Sequence, residues 1–331
     1  MPPVSVDEIY RARERIAGVA LRTPLLPVLS LPVSRDNELW LKAESLQRTA
    51  SFKIRGAANA IASLSAEERE RGVITYSSGN HGQAVACAAH LRGVHAVVVM
   101  PEDAMAVKVA ATRKWGAEVE FAGTTSLDRQ QRAMELVEER GYTVVPPFDD
   151  PRIIAGQGTA GIEILEQLPE VQAVVVPVGG GGLLAGIATA IKSVRPEVWI
   201  IGAEPAGGAD AQASFRSGTL TTLHHVDTVA DGLRTSRLGE LNFATIRELV
   251  DDIITVPDEE TLVTVGMLLS GEKLVVEPSG AVAPAAVLWG RTGLESKRIV
   301  AVVSGGNVEP RRLHDCLDLA TAAAAAATAN A

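Results

Sequence analysis

Short runs rich in Val and Ile alternate along the chain with longer segments in which apolar residues recur at helical spacing. The strand-like runs are Leu39–Ala43, Val73–Tyr76, Ala96–Met100, Glu118–Phe121, Thr143–Val145, Ala173–Val178, Trp199–Ala203, Ile253–Val256 and Arg298–Val303. Helices are predicted between them, over Gly82–Leu91, Val107–Trp115, Ser126–Arg140, Gly158–Gln167, Leu183–Val194, Glu259–Ser270 and Val282–Trp289. The strands are apolar on both faces, as parallel strands are when helices cover both sides of the sheet. Repeated strand–helix alternation predicts an α/β protein built from βαβ units around parallel sheets. No linker composition marks a domain boundary and no solenoid repeat is visible. The charged start, MPPVSVDEIYRARERI, reads as helix and not as a signal peptide. Val171–Ile191 carries no charge over a membrane-spanning length, but Pro177 and four consecutive glycines interrupt it. It is expected to be a buried strand, loop and helix, with no membrane span. The low-complexity tail TAAAAAATANA is expected to be frayed.

Composition narrows the functional classes. Of 331 residues, 47% are hydrophobic and 21% charged, the balance of a globular protein with a sizeable core. Aromatics make up only 4%, so that core must be mostly Ala, Val, Leu and Ile. A net charge of -9 with no long basic run argues against nucleic acid as a partner. Small anions can still bind through backbone amides. Cys87 and Cys316 form no CxxC pair, which fits a reducing cytoplasm. Cys87, in AVACAAHL, reads as a small buried hydrophobe.

Four segments hold candidate chemistry. In Glu44–Ala57, ESLQRTASFKIRGA, Lys53 opens a helical run between apolar neighbours. A desolvated lysine has a lowered pKa and can form a Schiff base. In TYSSGNHGQA, residues 75–84, a strand ends in Ser77, Ser78, Asn80 and His81 before a helix, offering amides and short side chains to a carboxylate. In PVGGGGLLAG, residues 177–186, a strand runs through four glycines into a helix, which suits a phosphate. It is neither GxGxxG nor a Walker loop. In VAVVSGGNVE, residues 300–309, a late strand delivers Ser304 to the edge where open α/β sheets bind ligands.

In this order the four segments resemble the fold-type II pyridoxal-phosphate enzymes, whose fold is that of the tryptophan synthase β chain. More closely the chain is similar to the serine/threonine dehydratase and serine racemase family. Glu44, Thr49, Ser51, Phe52, Lys53, Arg55 and Gly56 fit the family's lysine signature, and GQGT at 156–159 and EPSG at 277–280 also fit. The resemblance implies two open parallel-sheet domains: a large one from 1–69 and 150–331, and a small mobile one from 70–149. It implies that Lys53 holds pyridoxal 5′-phosphate, that Phe52 packs beside its ring, and that Asn80 bonds its hydroxyl. Gly179, Gly180, Gly181, Gly182 and Leu183 would bind its phosphate, and Ser304 would face its pyridine nitrogen. Ser77, Ser78, Asn80 and His81 would surround the substrate carboxylate. Glu204, Gly208 and Asp210, in GAEPAGGADAQ, resemble the family's Mg²⁺ or Ca²⁺ site.

The activity so implied is loss of water and then ammonia from L-threonine, L-serine or a related β-hydroxy amino acid. Lys53 would act as base, and a neutral Ser304 would favour prompt elimination over transamination. Threo-3-hydroxyaspartate, phenylserine and a hydroxyectoine-derived substrate are variants. Ser78, a serine in the racemases, admits serine racemisation as the alternative. Arg132, Pro147, Phe148 and Arg234 are candidates for the pocket wall. The family's assembly is a homodimer in the cytoplasm, acting on a small amino acid.

Overall fold

The computed structural model of the chain describes residues 3–77, 79–104 and 106–329. The chain starts with helix α1 (Val6–Arg15), capped by the Ser5 hydroxyl, followed by strands β1 (Leu25–Pro27) and β2 (Glu38–Ala43). Helices α2 (Lys53–Ala62) and α3 (Ala66–Arg71) lead into β3 (Val73–Thr75), α4 (Asn80–Arg92) and β4 (Ala96–Met100). Next come α5 (Ala106–Arg113), β5 (Glu118–Phe121), α6 (Ser126–Arg140) and β6 (Thr143–Val144). The long α7 (Pro151–Gln167) precedes β7 (Ala173–Pro177), α8 (Gly182–Lys192), β8 (Trp199–Pro205) and α9 (Asp210–Ser217). Then follow α10 (Glu240–Leu249), β9 (Asp252–Val256), α11 (Asp258–Ser270), α12 (Pro278–Leu288), β10 (Arg298–Val303) and α13 (Pro310–Ala329).

The strands form two sheets. One has the order β1-β2-β10-β7-β8-β9 and the other β5-β4-β3-β6. Every pairing is parallel except β1 with β2. In the larger sheet Ala173 and Val175 of β7 join one apolar cluster, with α12, while Val174 and Val176 join another, with α7 and α8. Alternate side chains enter opposite cores, so each position of the strand must be apolar. Each buried Val or Leu is worth about 1.5–3 kcal/mol relative to exposure. The smaller sheet is covered in the same way, with Val98 and Met100 on one face and Val97 and Val99 on the other.

The structure departs from the sequence expectation in four ways. The larger sheet carries an antiparallel edge, because the short β1 folds back on β2. Helices α3, α9 and α10 were not expected, and each is short and mostly polar on its outer face. Several helices start earlier than their apolar pattern does. Helix α7, for example, begins at Pro151, where the Asp150 side chain accepts the Arg152 N–H at 2.7 Å. The alanine tail is helix through Ala329, because Leu313 and Cys316 bury the start of α13 in the core and alanine, the best helix former, propagates it. Among the described residues, no helix is long and apolar enough to cross a membrane.

Candidate active site

Lys53 is held where two strand ends meet a helix start. Ser51 bridges to Gly305, and the Phe52 N–H donates to the Ser304 carbonyl at 3.0 Å, which ties the SFK run to the end of β10. The Lys53 ammonium donates to the Pro147 carbonyl at 2.7 Å and lies 5.1 Å from the centre of the Phe52 ring. Burial alone pulls its pKa from 10.5 down to about 8. Among the described residues no carboxylate offsets that, so the amine is neutral far more readily than an ordinary lysine.

Arg55, two residues on, lies about 200° around the helix from Lys53. Fully buried, it donates to Glu44 at 2.8 and 2.7 Å and to Glu163 at 2.7 and 2.8 Å. Lys42 donates to Glu163 at 2.6 Å. Two cations and two carboxylates thus balance in the core and fix the start of α2 against β2 and α7. Burial raises the Glu44 pKa, but the Arg55 guanidinium outweighs it and holds the carboxyl below its ordinary value.

The loop after β3 brings Asn80 to the same place. Its amide nitrogen donates to Glu277 at 2.6 Å, and its oxygen accepts from the Asn307 amide at 2.8 Å. That fixes which way the Asn80 amide points and leaves one N–H to offer. Burial pushes the Glu277 carboxyl up to about 7, against the bond from Asn80. Room remains beside this loop: a Cβ on Gly79 would meet nothing within 4 Å. Ser77 lies half-buried beside it. The His81 side chain is committed elsewhere. Its Nε2 donates to the Val145 carbonyl at 3.0 Å, and burial drives its pKa to about 3. The ring is neutral and ties α4 to the end of β6, so it brings no charge to a substrate carboxylate. Ser78 lies outside the described residues.

Gly179–Gly182 carry the chain from β7 into α8, whose first N–H groups have no intrahelical partner. Gly181 has φ +90, a left-handed conformation that favours glycine. A Cβ on Gly180 would fall 2.3 Å from the Phe148 ring. Leu183 packs into the core below. The loop is a tight cradle of amides at a helix N-terminus, which fits a phosphate. Ser304 is buried, and its hydroxyl donates to the Ser279 carbonyl at 3.3 Å. A hydroxyl proton can turn from there to a ring nitrogen. Lysine, amide, cradle and hydroxyl together fit pyridoxal phosphate.

Glu204 and Asp210 come together away from this cleft, at the end of β8 and the start of α9. Both are buried, and burial raises Glu204 to about 8 and Asp210 to about 7. Glu204 accepts the N–H groups of Ala211 and Gln212, whereas Asp210 Oδ2 has no partner. Two buried carboxylates without a cation suit a divalent ion, with Gly208 on the connecting turn. Among the described residues no cluster of three or more metal-ligating side chains exists, so backbone oxygens or waters would complete its shell.

Sequence reasoning noted EPSG and SGGN as motifs but gave no part to Glu277 or Asn307, and their pairing with Asn80 is visible only in three dimensions. Of the suggested pocket wall, Pro147 and Phe148 contact the site through Lys53 and Gly180. Arg132 instead pairs with Glu120 at 3.0 Å and Glu135 at 3.1 Å, and Arg234 is exposed.

Residues 16–305 match the family model described as pyridoxal-phosphate dependent enzyme. The chain is 44% identical to the L-threo-3-hydroxyaspartate ammonia-lyase of Saccharomyces cerevisiae, over 92% of this chain and 94% of that one. It is 42% identical to the catabolic L-threonine dehydratase of Escherichia coli, over 94% and 95%. Among solved structures, maize serine racemase superposes with a TM-score of 0.90 at 38% identity, covering 95% of this chain and 97% of that one.

Proposed function

Because the chain belongs to the pyridoxal-phosphate dependent enzymes, we propose that it is an ammonia-lyase for a β-hydroxy amino acid. It would eliminate the β-hydroxyl of L-threonine, L-serine or L-threo-3-hydroxyaspartate as water, and hydrolysis of the resulting imine, which takes a water back up, would release ammonia and leave a 2-oxo acid. One observation carries the reading. A lysine with no anionic partner stands among an amide, a glycine cradle and a neutral hydroxyl, each suited to one part of the cofactor.

The cofactor supplies an electron sink for charge developing at the substrate α-carbon. Lys53 would anchor it and would serve as the base for the substrate α-proton, a task suited to an amine with a pKa of about 8. The Pro147 carbonyl steadies that amine. Asn80, with its other hydrogen-bonding positions taken by Glu277 and Asn307, turns its remaining N–H to the ring hydroxyl. Gly179, Gly180, Gly181, Gly182 and Leu183 hold the phosphate. The amides at the start of α4, with Ser77, receive the substrate carboxylate. Ser304 would offer no negative charge to the ring nitrogen, which would favour elimination over transamination. Glu204, Asp210 and the Gly208 carbonyl would hold Mg²⁺ or Ca²⁺ as a structural ion. Residues 70–149 would act as a small mobile domain that closes over the substrate and excludes water. Assembly as a homodimer in the cytoplasm completes the reading.

The test is release of 2-oxo acid from L-serine, L-threonine and L-threo-3-hydroxyaspartate, with chiral analysis of the remaining serine. Lys53→Ala should lower the rate at least about 1000-fold. Epimerised serine without 2-oxo acid would replace the lyase by a racemase, and Ser78→Ala would then be the decisive variant.

A further inference from the structure

The Gly180 carbonyl accepts two hydrogen bonds. One comes from the Asn242 side-chain amide at 2.7 Å and the other from the Gly239 N–H at 3.1 Å. A trans peptide is planar, so its carbonyl and the next N–H point in opposite directions. Pinning the Gly180 oxygen therefore turns the Gly181 N–H to the side of the loop away from Asn242. Without that restraint the peptide between two glycines is the freest kind to rotate.

Asn242 is fully buried within α10, where asparagine is a poorer helix former than leucine or alanine. Its Oδ1 has no partner among the described residues. A buried amide in that place is costly unless its bonds do something, and its best bond goes to Gly180. The same nitrogen reaches the Phe148 carbonyl at 3.4 Å. Helix α10 is itself anchored by Asp149, whose carboxylate accepts the N–H groups of Glu240, Leu241 and Asn242 at 2.9, 3.1 and 3.3 Å. The three residues 147–149 thus touch the site three times. Pro147 holds the Lys53 amine, Phe148 covers Gly180, and Asp149 anchors the helix that carries Asn242.

We infer that Asn242 is a positioning residue for the phosphate-binding amides, acting through the Gly180 carbonyl. The inference rests on the reading of Gly179–Leu183 as the phosphate cradle. Losing Asn242 should weaken binding of the phosphorylated cofactor and leave its phosphate-free form nearly untouched.

The experiment titrates cofactor-free protein with pyridoxal 5′-phosphate and, separately, with pyridoxal, reading visible absorbance, and records the phosphorus NMR signal of the bound phosphate. Wild type is compared with Asn242→Leu, which keeps the branched shape without the amide, and with Asn242→Ala, which adds no bulk should the larger leucine not be accommodated. Pyridoxal phosphate affinity is expected to fall about tenfold and pyridoxal affinity less than about twofold, with a displaced phosphorus signal. An unchanged ratio of the two affinities in a folded variant overturns the assignment, as does equal weakening of both ligands, the mark of a merely structural residue. A wild type that does not prefer the phosphorylated ligand sinks the cradle reading itself, and the role of Asn242 with it.

Discussion

The two loops that meet at Lys53 are packed in opposite ways. The glycine loop of the larger sheet is filled on every side: a Cβ on Gly180 would strike Phe148, and one on Gly181 would meet Leu238 and Asn242 within about 3 Å. The loop after β3 of the smaller sheet is half-buried around Gly79, with open space beside it. A group held throughout a catalytic cycle gains from a rigid cradle, because no ordering cost recurs at each turnover. A substrate that must enter and leave needs room and a surface able to close. The difference between the loops is the one expected if, as proposed, the glycine loop holds the cofactor and the loop after β3 receives the substrate.

The largest expected effect removes the anchor of the rigid side. Arg55→Ala leaves Glu44 and Glu163 buried with too little positive charge, and breaking such a network costs about 3–5 kcal/mol. A melting experiment should show a loss of many degrees. Arg132→Ala, in the other half, breaks only solvent-screened pairs with Glu120 and Glu135 and should barely move the midpoint. Equal effects would mean that the two halves do not differ in the way described.

Next in size are the glycines themselves. Gly180→Ala drives a methyl group into the Phe148 ring, an overpacking of about 1–3 kcal/mol, so pyridoxal phosphate affinity should fall about tenfold or more. Gly79→Ala meets no neighbour within 4 Å and has a negative φ of −110°, so cofactor affinity should hold while KM for the amino acid rises. The reverse pattern would exchange the roles of the two loops.

Glu277 joins the sides, since it immediately precedes α12 as its N-cap and bonds Asn80. Its folded pKa, about 7, lies above the usual 4.5, so the native state binds the proton more tightly than the unfolded chain. Its contribution to stability is therefore full below pH 4.5 and is lost as pH rises toward 7. Asp231 works in the same direction and Lys108 against it. In Glu277→Gln, cofactor-free protein should lose part of the fall in melting temperature between pH 5 and pH 7. An undiminished slope would show that Glu277 is not the group responsible.

How far the sequence reveals these features depends on whether their cause is local. Strand β4, Ala96–Met100, and helix α6, Ser126–Arg140, have the bounds their patterns predict, because period and capping are local properties. Phe52, beside Lys53, bonds Ser304, and Phe148, beside the carbonyl that holds the Lys53 amine, packs on Gly180, so these motifs are linked through their neighbours. The bonds from Asn80 to Glu277 and from Asn242 to Gly180 span 197 and 62 residues, and no periodicity encodes such a distance. His81 looks like a substrate ligand in sequence, and only the fold shows its Nε2 committed to Val145.

The smallest effect concerns the paired carboxylates that stand apart from both loops. With Glu204 and Asp210 buried together and burial opposing their ionisation, a divalent cation would stabilise their charged forms in the larger-sheet half alone. Adding Mg²⁺ or Ca²⁺ to chelator-treated protein at about three times its dissociation constant should stabilise it by roughly 0.8 kcal/mol, read as a rise in melting temperature. Asp210→Asn should remove that rise while leaving the ratio of pyridoxal phosphate to pyridoxal affinity as in the wild type. A rise that persists in Asp210→Asn would move the ion elsewhere. An ion effect on that ratio would instead tie the carboxylates to the glycine cradle, through β8 and its neighbour β7.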